Sequence, residues 1–299
     1  MAAPRQLVAP PTFVDRNFGL LSVVQPRYTE PDAHWRNGVT WQDICGQALS
    51  TLSPYCSGDA EPPQVKSETT DIDTFGALPF TVYAKVDCSP VGYTQEEQRA
   101  RAVDALTRTE GDQVEAVFST GTVAGLPNKV YPHLQSETAV VEGSGSMQIQ
   151  LQCVATPVSG AATFEITEGL GILESLASTC WHGQLTLHVP LVLAHRMISS
   201  ALVKADGAQM KTINGNLVAL GAGYDGHSPA GAATPGAAWI YATGPVFAYR
   251  SQPETFNFRE QFNRENNTLE TIVERTYVLG YTCCCMYAVP ILTTGGVPL

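Results

Sequence analysis

Eight cysteines and six histidines hold most of the reactive chemistry in this 299-residue chain. Cys283, Cys284 and Cys285 are consecutive, while Cys45, Cys56, Cys88, Cys153 and Cys180 are scattered. Clustered thiolates suggest a metal, yet zinc sites space their ligands as C-x2-4-C. A strand would also turn Cys284 away from both of its neighbours. The N-terminal run MAAPRQLVAPPTFVDRNFG has no apolar stretch of signal-peptide length, so the thiols are expected to be free, small buried hydrophobes in a reducing cytosol. His182, His188 and His195 follow Cys180. A Cys/His-dependent enzyme would need a pocket joining Cys180 to His182 or His188 and a carboxylate, whereas their spacing spans a predicted strand and helix.

Other patterns fall short in specific ways. A serine hydrolase elbow needs G-x-S-x-G, which Gly143-Ser144-Gly145-Ser146 does not match. The phosphate-cradling G-x-x-x-x-G-K-[ST] is absent. Gly221-Ala222-Gly223-Tyr224-Asp225-Gly226 is rich in glycine, but no helical pattern follows it, as a dinucleotide site requires. A Lys–Asn isopeptide bond needs an amine, an amide and a carboxylate in a dry site. Lys66, with Asn263, Asn266, Asn267, Glu270 and Glu274, supplies those residue types.

The elements that would position these groups alternate between strand and helix. Residues 1–37 hold Pro4, Pro10, Pro11, Pro26 and Pro31 and are expected to form an extended arm, whose apolar stretch at Leu20, Leu21, Val23 and Val24 would lie along another surface, the chain's own or a neighbour's. Trp41–Leu49 reads as a short helix. Ser50–Leu78 is a long Pro-, Ser-, Thr- and Asp-rich loop of the kind that serves function or a partner. With the strand after it, that loop predicts a long two-stranded projecting arm. In that strand Phe80, Val82, Ala84, Val86 and Cys88 face one way, and Thr81, Tyr83, Lys85 and Asp87 the other.

Thr94-x-x-Glu97 is a capping box opening a helix over 94–119, with Gly121 ending it. Its apolar stripe is Val103, Leu106, Val114, Val117 and Phe118; Glu97–Arg101 and Asp104–Arg108 are favourable i,i+4 pairs. Gly111 is a candidate kink. Met147–Cys153 alternates as a strand, helices are expected over 163–179 and 191–204, and a short strand runs from Leu185 to Val189. Short strands also fit Leu217–Leu220 and Trp239–Ala242 in a Gly- and Ala-rich stretch. Residues 266–292 read as strand almost throughout, β-branched and aromatic on both faces, as in strands covered on both sides.

Lys and Arg number 17 against 28 Asp and Glu, a net charge of -11 that argues against any large phosphate-gripping surface. Enclosing nucleic acid needs no such surface. The 15% charged fraction is low beside the roughly 25% of an average soluble domain. No run of about 18 apolar residues exists to explain it by membrane insertion. A surface largely covered by copies of the same chain would explain it.

The order of elements, and the strings PFTVYAKVDCSPVG (Pro79–Gly92), EEQRARAVDALTRTEGDQVEAVFSTG (Glu96–Gly121), NGNLVALGAGY (Asn214–Tyr224), WIYATGPV (Trp239–Val246) and ERTYVLGYTCC (Glu274–Cys284), carry a resemblance. The chain resembles the Hong Kong 97-type major capsid protein of tailed phages, most of all those of phages infecting actinobacteria. The resemblance implies an α+β fold: an N-terminal arm over 1–37, a short helix and extended β-hairpin loop over 38–79, and a peripheral domain over 80–160 containing the spine helix. It further implies an axial domain over 161–250 and a return to the peripheral domain over 251–299.

By the same resemblance the chain self-assembles through hexamers and pentamers into an icosahedral shell around double-stranded DNA, without sequence-specific contacts. It needs no cofactor or metal and performs no catalysis. It is made in the host bacterial cytoplasm and ends in the virion capsid, with scaffolding, portal and decoration proteins as further partners and no membrane. Leu20, Leu21, Lys66, Asp71, Asp73, Arg99, Arg101, Arg259 and Arg264 are the residues expected in contacts between copies. An encapsulin-like nanocompartment shell, which shares the fold, and a Cys/His-dependent enzyme remain the alternatives.

Overall fold

A computed structural model describes residues 13–14, 17–24, 27–29, 33–44, 72–88, 94–144, 147–158, 163–256, 262–263 and 268–293. The first half runs α1 (Leu20–Val23), β1 (Arg27–Thr29), a 3-10 turn (Ala33–Asn37), β2 (Val39–Ile44), β3 (Ile72–Ala77), β4 (Pro79–Cys88), α2 (Gln95–Thr120), β5 (Val140–Ser144) and β6 (Met147–Gln152). Then come β7 (Thr156–Pro157), α3 (Ile166–Ser178), β8 (Thr186–Pro190), a 3-10 turn (Leu191–Leu193), α4 (Ala194–Ser199), β9 (Val203–Asp206), β10 (Gln209–Thr212) and β11 (Leu217–Gly221). The chain continues with β12 (Ala237–Thr243), β13 (Val246–Arg250), β14 (Glu254–Phe256), β15 (Phe262–Asn263), β16 (Thr268–Tyr281) and β17 (Tyr287–Leu292).

Three sheets organise these strands. In the six-stranded sheet β16 is central: β4 pairs antiparallel along one edge, and β13, β14 and β15 follow one another along the other. The N-terminal β1 closes this sheet by pairing parallel with β13. A four-stranded sheet runs β2-β3-β6-β5, and a seven-stranded one β7-β17-β12-β8-β11-β10-β9. The strand expected to pair with the 50–78 loop in a projecting arm, β4, lies instead in the six-stranded sheet against β16, and within the described residues β3 pairs antiparallel with β2.

The spine helix follows its sequence signals closely. The Thr94 side chain accepts from the Glu97 backbone N–H while the Glu97 carboxylate accepts from the Thr94 N–H, so the capping box is complete. Gly121 ends the helix with φ 66°, a left-handed conformation that costs glycine little, and its N–H donates to Val117 O at 2.7 Å. The helix passes Gly111 without a break, giving a rod about 39 Å long.

Two cores share one sheet. Alternate side chains of β11, β12 and β17 point to opposite faces: Ala219, Tyr241 and Ala288 join α2 and the six-stranded sheet. Val218, Leu220, Ile240, Val289 and Ile291 pack with α3 and α4. Being covered on both sides, these strands carry apolar residues at every position rather than at every second one.

The structure corrects several expectations. Val39–Ile44 is a strand, so the helix expected from Trp41 does not form over those residues; Trp41 instead packs on Phe75 and Phe247. Short runs with scattered apolar residues fit both periods, and the β3 partner decides. The helix expected over 191–204 is a 3-10 turn plus α4 and stops at Ser199, where Ala201 at φ 52° leads the chain into β9. The arm expected to be extended over 1–37 contains α1, and of the two surfaces it could lie along, Leu20 and Val23 take the chain's own core. The strand read across 266–292 breaks after Tyr281, and β16 and β17 lie in different sheets.

The cysteines are the largest correction. Cys153 is disulfide-bonded to Cys283 and Cys180 to Cys285, with Cα–Cα distances of 5.8 and 5.9 Å, and Cys284 is bonded as well. In a strand, alternation would turn Cys284 away from both neighbours. Residues between β16 and β17 form a turn, so three adjacent side chains fan toward different segments.

Candidate assembly surface and the junction beneath it

The glycine-rich run after β11 binds a carboxylate, and the carboxylate belongs to the chain itself. Glu115, on the inward face of α2, accepts from the Gly223 N–H at 3.0 Å through Oε2 and from the Leu20 N–H at 3.0 Å through Oε1. A Cβ on Gly19 would lie 2.6 Å from Glu115 Oε1, and one on Gly221 2.7 Å from Oε2. At Gly223 a Cβ would sit 2.2 Å from the Asp112 carbonyl oxygen and 2.7 Å from the Ala116 nitrogen, so loop backbone rides directly on helix backbone. One buried carboxylate thus fastens the N-terminal segment, the spine helix and the 221–224 loop together.

Five residues earlier, Glu110 interrupts the same stripe. It is 5% exposed and receives two bonds from Arg275 Nη1 at 2.7 and 2.8 Å, one from the Tyr277 hydroxyl at 2.9 Å, and one from Arg250 Nη2. Burial, and then the adjacent Glu110 carboxylate, pushes the Tyr277 hydroxyl well above its ordinary pKa. This cluster ties α2 to β13 and β16. Above it, Leu21, Thr107, Arg108, Asp112 and Arg250 line a groove of about 560 Å³ between the N-terminal segment and the helix.

His188 and Cys180 do not meet in a catalytic pocket. His188 is buried on β8, with Nδ1 3.1 Å from the Tyr224 hydroxyl and Nε2 2.9 Å from the Thr243 hydroxyl. Thr243 donates its only proton to the Gly244 carbonyl, so Nε2 must donate to Thr243 and Nδ1 accept from Tyr224. Cys180 is bonded to Cys285, and His182 and His195 are exposed. Among the described residues no group of three or more His, Cys, Asp or Glu is arranged to hold a metal, and no helix is long and apolar enough to cross a membrane.

Burial holds the folded-state pKa of His188 at about 3, and burial followed by the Lys129 charge holds that of His133 at about 4. Both lie below the roughly 6.5 of an exposed imidazole, so the unfolded chain takes up the proton first. Their neutral state stabilises the fold fully above about pH 6.5, and that contribution falls away toward pH 4 by about 1.4 kcal/mol per pH unit for each ring. Urea unfolding at pH 7, 6, 5 and 4.5 is expected to show this slope, and His188→Asn to flatten it by about half. An unchanged slope in the variant would contradict the assignment.

No protein-family model matches the chain, and no curated protein does. Solved structures match over almost its whole length. The capsid of Ralstonia phage GP4 aligns with a TM-score of 0.56 at 10% identity, covering 99% of this chain and 97% of that one. The capsid of an empty GTA particle aligns at 0.56 and 9% identity over 97% and 95%. A structure from Mycobacterium phage Ogopogo gives 0.53 and 12% identity over 97% of both chains. The chain has the Hong Kong 97-type capsid fold.

Within this capsid fold the nine expected contact residues fall into different places. Lys66, Asp71, Arg259 and Arg264 lie outside the described residues. Leu20 is fully buried against the chain's own helix and β11, which leaves it no surface for a neighbour, while Leu21 lines the groove. Asp73 is half-buried on β3, paired in register with Asp43. Arg99 and Arg101 stand exposed on the first turns of the spine helix. Apolar side chains that the sequence reading placed inside a helix face, or did not single out, also stand exposed: Leu191, Val192 and Ile198 near α4, and Ile213 between β10 and β11. Glu110 and Glu115 escaped notice too, although Leu106, Glu110 and Val114 are spaced by four and share one face.

Proposed function

We propose that this chain is a major capsid protein that self-assembles through hexamers and pentamers into an icosahedral shell enclosing double-stranded DNA. The observation that carries the proposal is the shared fold along 97% or more of the chain with proteins whose structures are described as capsids. The six-stranded sheet with the spine helix corresponds to the peripheral domain. The seven-stranded sheet with α3 and α4 corresponds to the axial domain, and β2–β3 to the base of the extended loop. Scaffolding, portal and decoration proteins are further partners in this reading, and the virion is the destination. The role is structural: no catalytic step is assigned to any residue.

The subunit's surface supports the proposal. Leu191, Val192, Ile198 and Ile213 leave apolar area in water that another copy of the chain would cover. Shells close only when each copy exposes several complementary patches, which also accounts for the low charged fraction.

Electron microscopy of the recombinant chain, with light scattering on the same sample, tests the proposal. Closed particles, or rings of five and six, are the expected result, and nuclease-protected DNA in particles recovered from infected cells separates a capsid from a nanocompartment. A 32.0 kDa monomer under all conditions, including with the chain's own scaffolding partner, would overturn it. Arg99→Ala with Arg101→Ala is expected to slow assembly several-fold while moving the subunit's stability by less than about 1 kcal/mol, because exposed ion pairs add little within one chain. An equal loss of both would assign these arginines to the fold.

A further inference from the structure

Three consecutive cysteines, each bonded, occupy the one turn where the chain crosses from the six-stranded to the seven-stranded sheet. Cys283 reaches Cys153, at the end of β6, across 130 residues of sequence. Cys285 reaches Cys180, just beyond α3, across 105. In each pair one residue is buried and the other partly exposed: Cys153 is 6% and Cys285 4% exposed, whereas Cys283 and Cys180 retain access to solvent.

We infer that this turn is a redox latch, open when the chain folds in a reducing cytosol and closed by oxidation after the particle leaves it. The timing rests on the capsid reading; the latch itself rests on the cysteines. Three adjacent thiols cannot be sorted to different partners in an unfolded chain, so correct pairing requires the finished fold. That fold has two extensive apolar cores to hold it before any bond forms. A reducing cytosol keeps such thiols free during folding.

The asymmetry of exposure sets the order of events. The accessible thiolate of Cys283 or Cys180 attacks a low-molecular-weight disulfide such as oxidised glutathione, forming a mixed disulfide and expelling one small thiolate. The buried partner, Cys153 or Cys285, loses its proton to water and attacks the protein sulfur of that mixed disulfide. The second small thiolate leaves, so each protein bond consumes one small disulfide, and two protons pass to solvent. The closed latch ties the ends of β6 and α3 to the crossing between the sheets.

Particles purified with a reducing phosphine, then exposed to oxidised glutathione, provide the test. Peptide mapping without reductant is expected to find Cys153–Cys283 and Cys180–Cys285 in particles that stay closed, and the melting temperature to rise by about 10 °C. Before oxidation, a maleimide should label Cys180 and Cys283 about tenfold faster than Cys153 and Cys285. Cys180→Ser with Cys283→Ser should assemble normally and lose the oxidation-dependent rise. Four free thiols after oxidation, or bonds that persist under the phosphine in native particles, would overturn the latch. Both bonds closing in a chain that stays monomeric under all conditions, its scaffolding partner included, would keep the latch and remove the capsid reading.

Discussion

Glu110→Ala is expected to lower the stability of the subunit by about 3–5 kcal/mol, read as a fall in the urea midpoint with an unchanged slope. The replacement leaves the Arg275 guanidinium and the Arg250 guanidinium facing each other over a site that is 5% exposed, without the carboxylate both were bound to. Removing one member of a buried charged cluster costs far more than the cluster contributes over an apolar one, because the remaining charges stay desolvated. The Tyr277 hydroxyl also loses its acceptor. Tyr277→Phe removes that donor alone and is expected to cost about 1 kcal/mol. A loss below about 1 kcal/mol for Glu110→Ala would mean that the arginines turn to solvent freely and that the cluster does not hold α2 to β16.

Gly223→Ala is the second large effect, with an expected loss of about 3 kcal/mol or more. The new methyl would meet the Asp112 carbonyl oxygen at 2.2 Å and the Ala116 nitrogen at 2.7 Å, both backbone atoms of a helix that cannot yield locally. The loop must withdraw, and with it go the Gly223 bond to Glu115 and the placement of Tyr224 against His188. Gly111→Ala is the matching control on the same helix. Nothing lies within 4 Å of a Cβ there, and φ is ordinary, so alanine should stabilise by about 1 kcal/mol. Opposite signs from one chemical change are the expected outcome of paired melting curves. Equal effects would refute the close approach.

Both substitutions act where the N-terminal segment, the spine helix and the two larger sheets meet. On the proposed capsid role, a subunit offering several contact surfaces at once needs its halves held in fixed relation, and Glu110, Glu115 and Gly223 would supply that rigidity from inside. Their loss is expected to reduce particle yield along with subunit stability, whereas the exposed arginines should affect yield alone.

Local signals were legible wherever they are local in physics. The capping box at Thr94 and Glu97, the left-handed Gly121 and the 80–87 alternation each involve residues a few positions apart, and each stands as the sequence indicates. Trp41 misled because short segments fit two periods and its deciding partner, β3, is distant in sequence; the stretch after Ser199 misled because Val203–Asp206 leaves the helix to pair with β10 in a tight hairpin. The glycines at 221–226 face a carboxylate of the chain itself. Their own purpose was illegible, because the anion they face sits on a helix more than 100 residues earlier.

By itself the sequence determined the spine helix, the strand faces and the α+β class, and the order of its elements carried the resemblance to a capsid subunit. Periodicity, caps and turn residues encode those features within a few residues of themselves. Only the tertiary structure decided which buried carboxylates would be held, that the terminal strand would split between two sheets, and that three adjacent cysteines would find partners. Those outcomes depend on which distant segments share a small buried volume, where desolvation makes each partner necessary.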